Sequence, residues 1–256
     1  MRVLIYSDVH GNAEALAAMA EAAEGSYDTS LCLGDVVGYG ASPNQTTQWV
    51  REHTKVVIRG NHDRACASLD GIQWFNPAAA AAARWTHAQL QPDNSAWLQG
   101  LPAGPLAWEG EYLVHGSPLD EDEYLMEAVQ AAGSFAATSA TCVWFGHTHV
   151  QGGFALLQSG GESRLEALRS AAEPPAPEAR TGVRRFQLEP GARYLINPGS
   201  VGQPRDGDWR AGYALLHTGE GWVEFHRVPY DLEIAQRRIL EAGLPPRLAQ
   251  RLAAGK

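Results

Sequence analysis

Residues 3–10 read Val-Leu-Ile-Tyr-Ser-Asp-Val-His. Four apolar, β-favouring side chains stop abruptly at a small serine, and two metal-ligating groups follow with one residue between them. A continuous apolar run this short reads as a strand buried on both faces. Its end places Asp8 and His10 at the rim of a sheet. The same pattern returns five times. Residues 31–33 lead into Gly34-Asp35, and 56–58 into Arg59-Gly60-Asn61-His62-Asp63. Residues 112–114 lead into His115-Gly116, 143–145 into Gly146-His147-Thr148-His149, and 195–196 into Asn197-Pro198-Gly199-Ser200.

Helical patterns separate these runs. Residues 13–23 are rich in Ala and Glu behind Asn12, a fitting N-cap. Residues 44–53 carry Trp49 and Val50 on a polar background. Residues 77–90 form an alanine run opened by proline, and 120–132 begin acidic, as a helix dipole favours. Strands alternating with helices of this length predict an α/β fold. Beyond Val150 the texture changes. Residues 152–157, 183–188 and 213–217 read as strands, and Gly219-Glu220-Gly221 joins 214–217 to 222–228 as a hairpin. These predict a second sheet packed on the first. Residues 159–181 are rich in Gly, Ser, Ala and Pro, and Pro174-Pro175 argues against regular structure. They are read as an exposed, flexible insertion. Residues 231–254 read as a helical tail broken at Leu244-Pro245-Pro246. No repeat is present, and the 256 residues are read as a single domain.

Apolar residues make up 45% of the chain, and 20 Lys+Arg face 29 Asp+Glu for a formal charge of -9. Such a field repels a nucleic-acid backbone and argues against duplex binding, though not against a small anion at a locally positive site. Cys32, Cys66 and Cys142 form no CxxC pair, and two of them lie in apolar runs. That usage fits a reducing cytoplasm without disulfides. No stretch has the length of a signal peptide or membrane span, so the expectation is a soluble, cytoplasmic protein without membrane partners.

Loops at the carboxyl ends of strands in α/β sheets converge where ligands bind. Placed there together, Asp8, His10, Asp35, Asn61, His115, His147 and His149 give two carboxylates, four imidazoles and one amide. Seven groups exceed the needs of one tetrahedral ion and match two ions sharing a carboxylate. Oxygen and nitrogen donors without thiolate suit Mn, Fe, Zn, Ni or Co, divalent or trivalent, with Mn or Fe foremost. Two dications outweigh two carboxylates, so the site stays positive and suits a phosphate ester. In extended backbone His147 and His149 would point to the same side.

Asp8-x-His10, Gly34-Asp35, Gly60-Asn61-His62-Asp63, His115 and Gly146-His147-Thr148-His149 together resemble the signature of the calcineurin-like metallophosphoesterase superfamily. Residues 196–205, Ile-Asn-Pro-Gly-Ser-Val-Gly-Gln-Pro-Arg, resemble a further segment of its small bacterial phosphodiesterase branch. The resemblance implies an α/β fold of four layers, an αββα sandwich of two mixed β-sheets flanked by helices. It also implies Asp8, His10, Asp35 and His149 on one metal and Asp35, Asn61, His115 and His147 on the other, with Asp35 bridging. His147 and His149 then serve different ions. The expected reaction is in-line attack of a metal-bridging hydroxide on a phosphodiester of a small or nucleotide-type substrate. His62 is the expected catalytic residue, protonating the leaving group or hydrogen-bonding a phosphoryl oxygen. Asp63 reads as a carboxylate bracing its loop.

Protein Ser/Thr phosphatases of the superfamily follow Gly-Asp with an Asp-Arg pair, where this chain has Gly38-Tyr39. A phosphoprotein substrate is therefore not expected. The run through Asn44 is instead similar to small phosphodiesterases and diadenosine-tetraphosphatase-like enzymes, so hydrolysis of a dinucleoside polyphosphate is the alternative. A non-catalytic scaffold of the same fold is the alternative of another class. Arg205 and Tyr39 are the candidate substrate contacts. His53, His87, His217 and His226 read as surface or packing groups. Trp49, Trp74, Trp85, Trp97 and Trp108 read as packing anchors in preference to a base-stacking platform.

Overall fold

The first strand, β1 (Arg2–Tyr6), sends Leu4 and Tyr6 into one core and Val3 and Ile5 into another. Strand side chains alternate, so a strand apolar at every position must be covered on both faces. That requirement organises the whole chain. The structure is a computed structural model describing residues 1–159, 161–169 and 181–256.

Beside β1 lie β2 (Thr29–Cys32) and β3 (Val56–Val57), all three parallel. On its other side β11 (Ala211–His217), β12 (Trp222–Val228) and β9 (Gly182–Gln187) continue the sheet antiparallel, in the order β3-β2-β1-β11-β12-β9. The second sheet runs β4 (Leu106–Trp108), β5 (Glu111–Leu113), β6 (Cys142–Trp144), β10 (Arg193–Asn197), β7 (Gly152–Ser159), β8 (Glu162–Arg169). Here β5, β6 and β10 are parallel and the outer pairings antiparallel.

Between the sheets Ile5, Leu31 and Leu33 meet Leu113, Trp144 and Ile196. On the outside of the first sheet pack α1 (Ala13–Ala23), α7 (Leu232–Glu241) and α8 (Pro246–Ala254), through residues such as Leu16, Ile239 and Leu248. The same core takes in α2 (Pro43–His53), α3 (Asn61–Ser68), α4 (Pro77–Gln89) and α5 (Pro92–Gln99). The second sheet is covered by α6 (Ala128–Ala137), whose Ala131 and Phe135 meet Val143, Phe145 and Leu195. Two mixed six-stranded sheets between helices give the four layers expected. All three cysteines are buried and free. Among the described residues no helix is long and apolar enough to cross a membrane.

Two expectations are corrected. The helix expected at 120–132 begins only at Ala128. The polar groups upstream bond their own backbone instead: Ser117 Oγ accepts from Leu119 and Asp120 N–H, and Asp120 Oδ1 from Asp122 N–H. Such local bonds compete with helix formation. Within the expected insertion at 159–181, residues 162–169 form β8, paired along its length with β7. Leu165 and Leu168 face opposite sides of that strand and pack into different cores. The Pro-rich residues 170–180 lie outside the described residues.

One carboxyl group sits uncomfortably in the second sheet. Burial pushes Glu111 up to about 7, opposed by the Trp144 indole N–H donated to it at 2.6 Å. The unfolded carboxyl ionises near 4.5. Between these values the folded state holds a proton that the unfolded state has lost, so this group's contribution falls as pH rises from about 4.5 to about 7. Glu111→Gln keeps the acceptor for Trp144 and removes the titration. The expected result is a thermal midpoint about 3–6 °C higher than wild type at pH 8 and unchanged at pH 4. Parallel melting curves at both pH values would refute it.

Candidate metal centre

The loops leaving β1, β2, β5 and β6 and the start of α3 meet at one place. Asp8, His10, Asp35, His147 and His149 all adopt left-handed backbone, with φ of 57°, 50°, 55°, 65° and 59°. Each such residue costs about 1–2 kcal/mol in an ordinary L-amino acid. Five together persist only because the surroundings enforce them, a pattern that marks functional sites.

The enforcement is visible bond by bond. Asp63 accepts backbone N–H from Gly60 (2.9 Å), Asp35 (2.8 Å), Val36 (2.8 Å) and Val37 (3.2 Å), fixing the Asp35 turn against the start of α3. Gly60 makes the approach feasible, since a Cβ there would stand 2.1 Å from Asp35 Oδ1. The segment after β10 grips the other loops. Asn197 Nδ2 donates to Gly146 O at 2.8 Å and Thr148 Oγ1 at 3.0 Å, and Ser200 Oγ donates to Asp8 O at 2.8 Å.

Ring orientation follows from what each imidazole touches on its far side. His10 Nδ1 lies 3.1 Å from Val37 O, His115 Nδ1 2.8 Å from Leu33 O, and His149 Nδ1 2.6 Å from Gln203 O. A carbonyl only accepts, so these Nδ1 atoms carry hydrogen and the Nε2 lone pairs face the centre. His147 is reversed: Nε2 donates to Asp122 O at 3.1 Å, leaving Nδ1 as its free nitrogen.

Two groups of potential ligand atoms result, each within 4.8 Å: Asp8, His10, Asp35 and His149, and Asp35, His115 and His147. Asp35 belongs to both. Its Oδ2 has no hydrogen-bond partner and lies 3.5 Å from His10 Nε2 and 3.3 Å from His115 Nε2. Asp8 Oδ2 is likewise buried without a partner. The Asn61 amide oxygen stands beside the second group, 3.2 Å from His115 Nε2. Buried, partnerless carboxylate oxygens among inward-facing lone pairs fit bound cations and little else.

Burial opposes charge on both carboxylates, yet the facing imidazoles, His149 for Asp8 and His115 for Asp35, hold them below the usual carboxylate range. Burial also opposes charge on His115, but Asp35 beside it brings the ring up to about 9. The shared proton must leave when a cation enters.

Residues 1–221 match the model of the calcineurin-like phosphoesterase superfamily domain. The chain belongs to this superfamily. The crystal structure of a metallophosphoesterase from Sphaerobacter thermophilus is 39% identical and superposes with a TM-score of 0.81, covering 100% of this chain and 99% of that one. A hypothetical protein of Pyrococcus horikoshii shares the fold at 19% identity and a TM-score of 0.76, over 100% of this chain and 98% of its own. An uncharacterized protein of Methanocaldococcus jannaschii is 29% identical over 99% of this chain and 98% of its own length.

In this calcineurin-like chain the extended-backbone reading of His147 and His149, which would point both to the same side, does not hold. His147 and His149 do not sit on extended backbone, because β6 ends at Trp144 and both residues turn left-handed. Their rings part, His149 to the first group and His147 to the second.

His62 lies beside the centre, flanked by Tyr39 at 4.3 Å, Phe75 at 4.5 Å and His10 at 4.9 Å between ring centroids. Its Nδ1 is buried and partnerless, and Gly38 leaves room for it: a Cβ there would fall 2.5 Å from that atom. Tyr39 also meets His10 at 4.7 Å. Arg205 stands over Tyr39 at 5.8 Å, donates to Gln203 Oε1 at 3.1 Å, and keeps Nε buried and unpartnered.

Sequence reasoning missed three neighbours. Arg251 of α8 reaches Tyr39 at 5.8 Å, and the Tyr124 ring lies 4.0 Å from that of His147. Trp74, expected as a packing anchor, is 84% exposed. Each comes from a segment with no motif, brought to the centre by chain crossing alone.

Proposed function

We propose that the chain hydrolyses a phosphodiester of a small substrate at two metal ions that share Asp35. The observation that supports this reading is the pair of ligand groups with Asp35 Oδ2 unpartnered between them. Asp8, His10, Asp35 and His149 would hold one ion, and Asp35, Asn61, His115 and His147 the other. Bound there, the ions would lower the pKa of water to about 7 and draw charge from the phosphoryl oxygens. Oxygen and nitrogen donors without sulfur favour Mn or Fe.

The remaining work falls to the chain. Burial brings His62 down to about 4, with Arg205 adding to the shift and Asp35 opposing it, so the ring is neutral at pH 7. A neutral imidazole offers one N–H, which fits a hydrogen bond to a phosphoryl oxygen better than proton transfer to the leaving group. Arg205 would hold a substrate anion while Tyr39 fixes both His62 and the guanidinium. Tyr39 stands where the arginine of the phosphoprotein phosphatases would be, and the His62 ring fills the space a side chain at Gly38 would need, which supports a small substrate over a phosphoprotein.

A second reading has its own observation. Arg205 and Arg251 both approach Tyr39, and neither pairs with an Asp or Glu side chain among the described residues, although Arg251 Nε donates to Lys256 O. Two such cations would suit a polyphosphate, as in a dinucleoside polyphosphate.

The test is a metal-reconstituted chain assayed on bis(p-nitrophenyl) phosphate, p-nitrophenyl phosphate and diadenosine tetraphosphate. The expected order places the diester first by about tenfold or more in kcat/KM. A preference for the tetraphosphate would select the second reading. Neither bound metal nor hydrolysis of any of the three would leave a scaffold.

A further inference from the structure

The connection between α3 and α4 carries a tryptophan whose position nothing in the fold requires. Residues Ile72–Trp74 form one 3₁₀ turn, pinned by buried Ile72 and by Trp74 N–H to Gly71 O (3.0 Å) and Phe75 N–H to Ile72 O (3.2 Å). The turn holds the Trp74 backbone firmly, yet the indole is 84% exposed. Leaving so large an apolar ring in water forgoes the stabilisation its burial would bring.

The ring borders a cavity of about 300 Å³ whose lining also includes Asn61, His62 and His147. Phe75 and Tyr124 line it too, and Tyr124 is itself 48% exposed. The volume falls within the range of small-molecule sites. Because the lining includes two candidate ligands and His62, the cavity opens beside the candidate centre, where a substituent of a bound phosphoryl group would extend. The cation on its wall, Arg64, is committed to Glu121 and Asp122. The cavity therefore offers aromatic surface and little net charge, which selects a neutral planar group over a second phosphate.

We infer that Trp74, with Phe75, forms the platform on which a nucleobase of the substrate stacks, making the diester that of a nucleoside. The inference rests on the phosphoesterase reading above and adds the chemistry of one substituent. Stacking is tolerant of base identity, because every base presents a π-face.

The experiment uses the full chain reconstituted with Mn. Adenosine 5′-monophosphate and ribose 5-phosphate, which differ only by the base, are compared as inhibitors of bis(p-nitrophenyl) phosphate hydrolysis and by calorimetry. The nucleotide is expected to bind wild type about tenfold more tightly than the sugar phosphate. Trp74→Ala should bring that ratio close to one while ribose 5-phosphate binds as before, and Trp74→Phe should retain most of the preference. Equal binding of the two compounds by wild type would overturn the inference. So would a preference that survives in Trp74→Ala. If wild type neither hydrolyses the diester nor binds ribose 5-phosphate, the phosphoesterase reading falls first and takes the platform with it.

Discussion

Asp35→Asn is expected to reduce hydrolysis by more than about 10³-fold and to lower bound metal from two equivalents to one or none. The substitution keeps the shape of the side chain, and the backbone around it is fixed by Asp63 and by bonds to neighbouring loops. It removes a charge shared by both ligand groups. It also turns one terminal atom into an NH₂ donor. If that atom takes the place of Oδ2, it faces His10 and His115 at 3.5 and 3.3 Å and offers each lone pair a hydrogen bond in place of a cation. Metal analysis of the purified variant, with a melting curve to show that it folds, separates loss of the centre from loss of the protein. Two retained equivalents with near-normal turnover would remove Asp35 from the bridging position.

His62→Ala should leave the metal content intact and lower kcat by roughly 10²–10³-fold, the loss of one hydrogen-bond donor to developing charge. The ring belongs to neither ligand group, so stoichiometry should not change. Because its removal would also leave a hole among Tyr39, Phe75 and His10, His62→Gln serves as the filled companion. A neutral ring donating to a phosphoryl oxygen should lose similar factors on diesters with good and poor leaving groups. A ring that protonates the departing oxygen should lose far more on the poor one. A wild-type rate on both would end any catalytic role for His62.

The Asp35 experiment tests a residue whose type and place were legible in the chain. The buried strand at 3–6 and its repeats were legible because an unbroken apolar run reports two covered faces. The donor set was legible because carboxylates, imidazoles and an amide after each run are local facts of sequence. The acidic start at 120 misled because Ser117 and Asp120 satisfy their own backbone before a helix can form. The strand at 162–169 was hidden because neighbouring composition is rich in Gly and Pro, while its two leucines enter separate cores.

Sequence by itself determined that this protein is an α/β chain whose strand ends carry oxygen and nitrogen groups able to hold a metal. Those properties depend on side-chain type and short spacing, which tertiary contacts do not alter. Only the tertiary structure decided that left-handed backbone carries His147 and His149, that Arg251 arrives from the last helix and that Trp74 faces water. Left-handed turns and carbonyls far away in sequence aim the rings. Direction in space is set by residues brought together from across the chain, and one-dimensional spacing does not encode it.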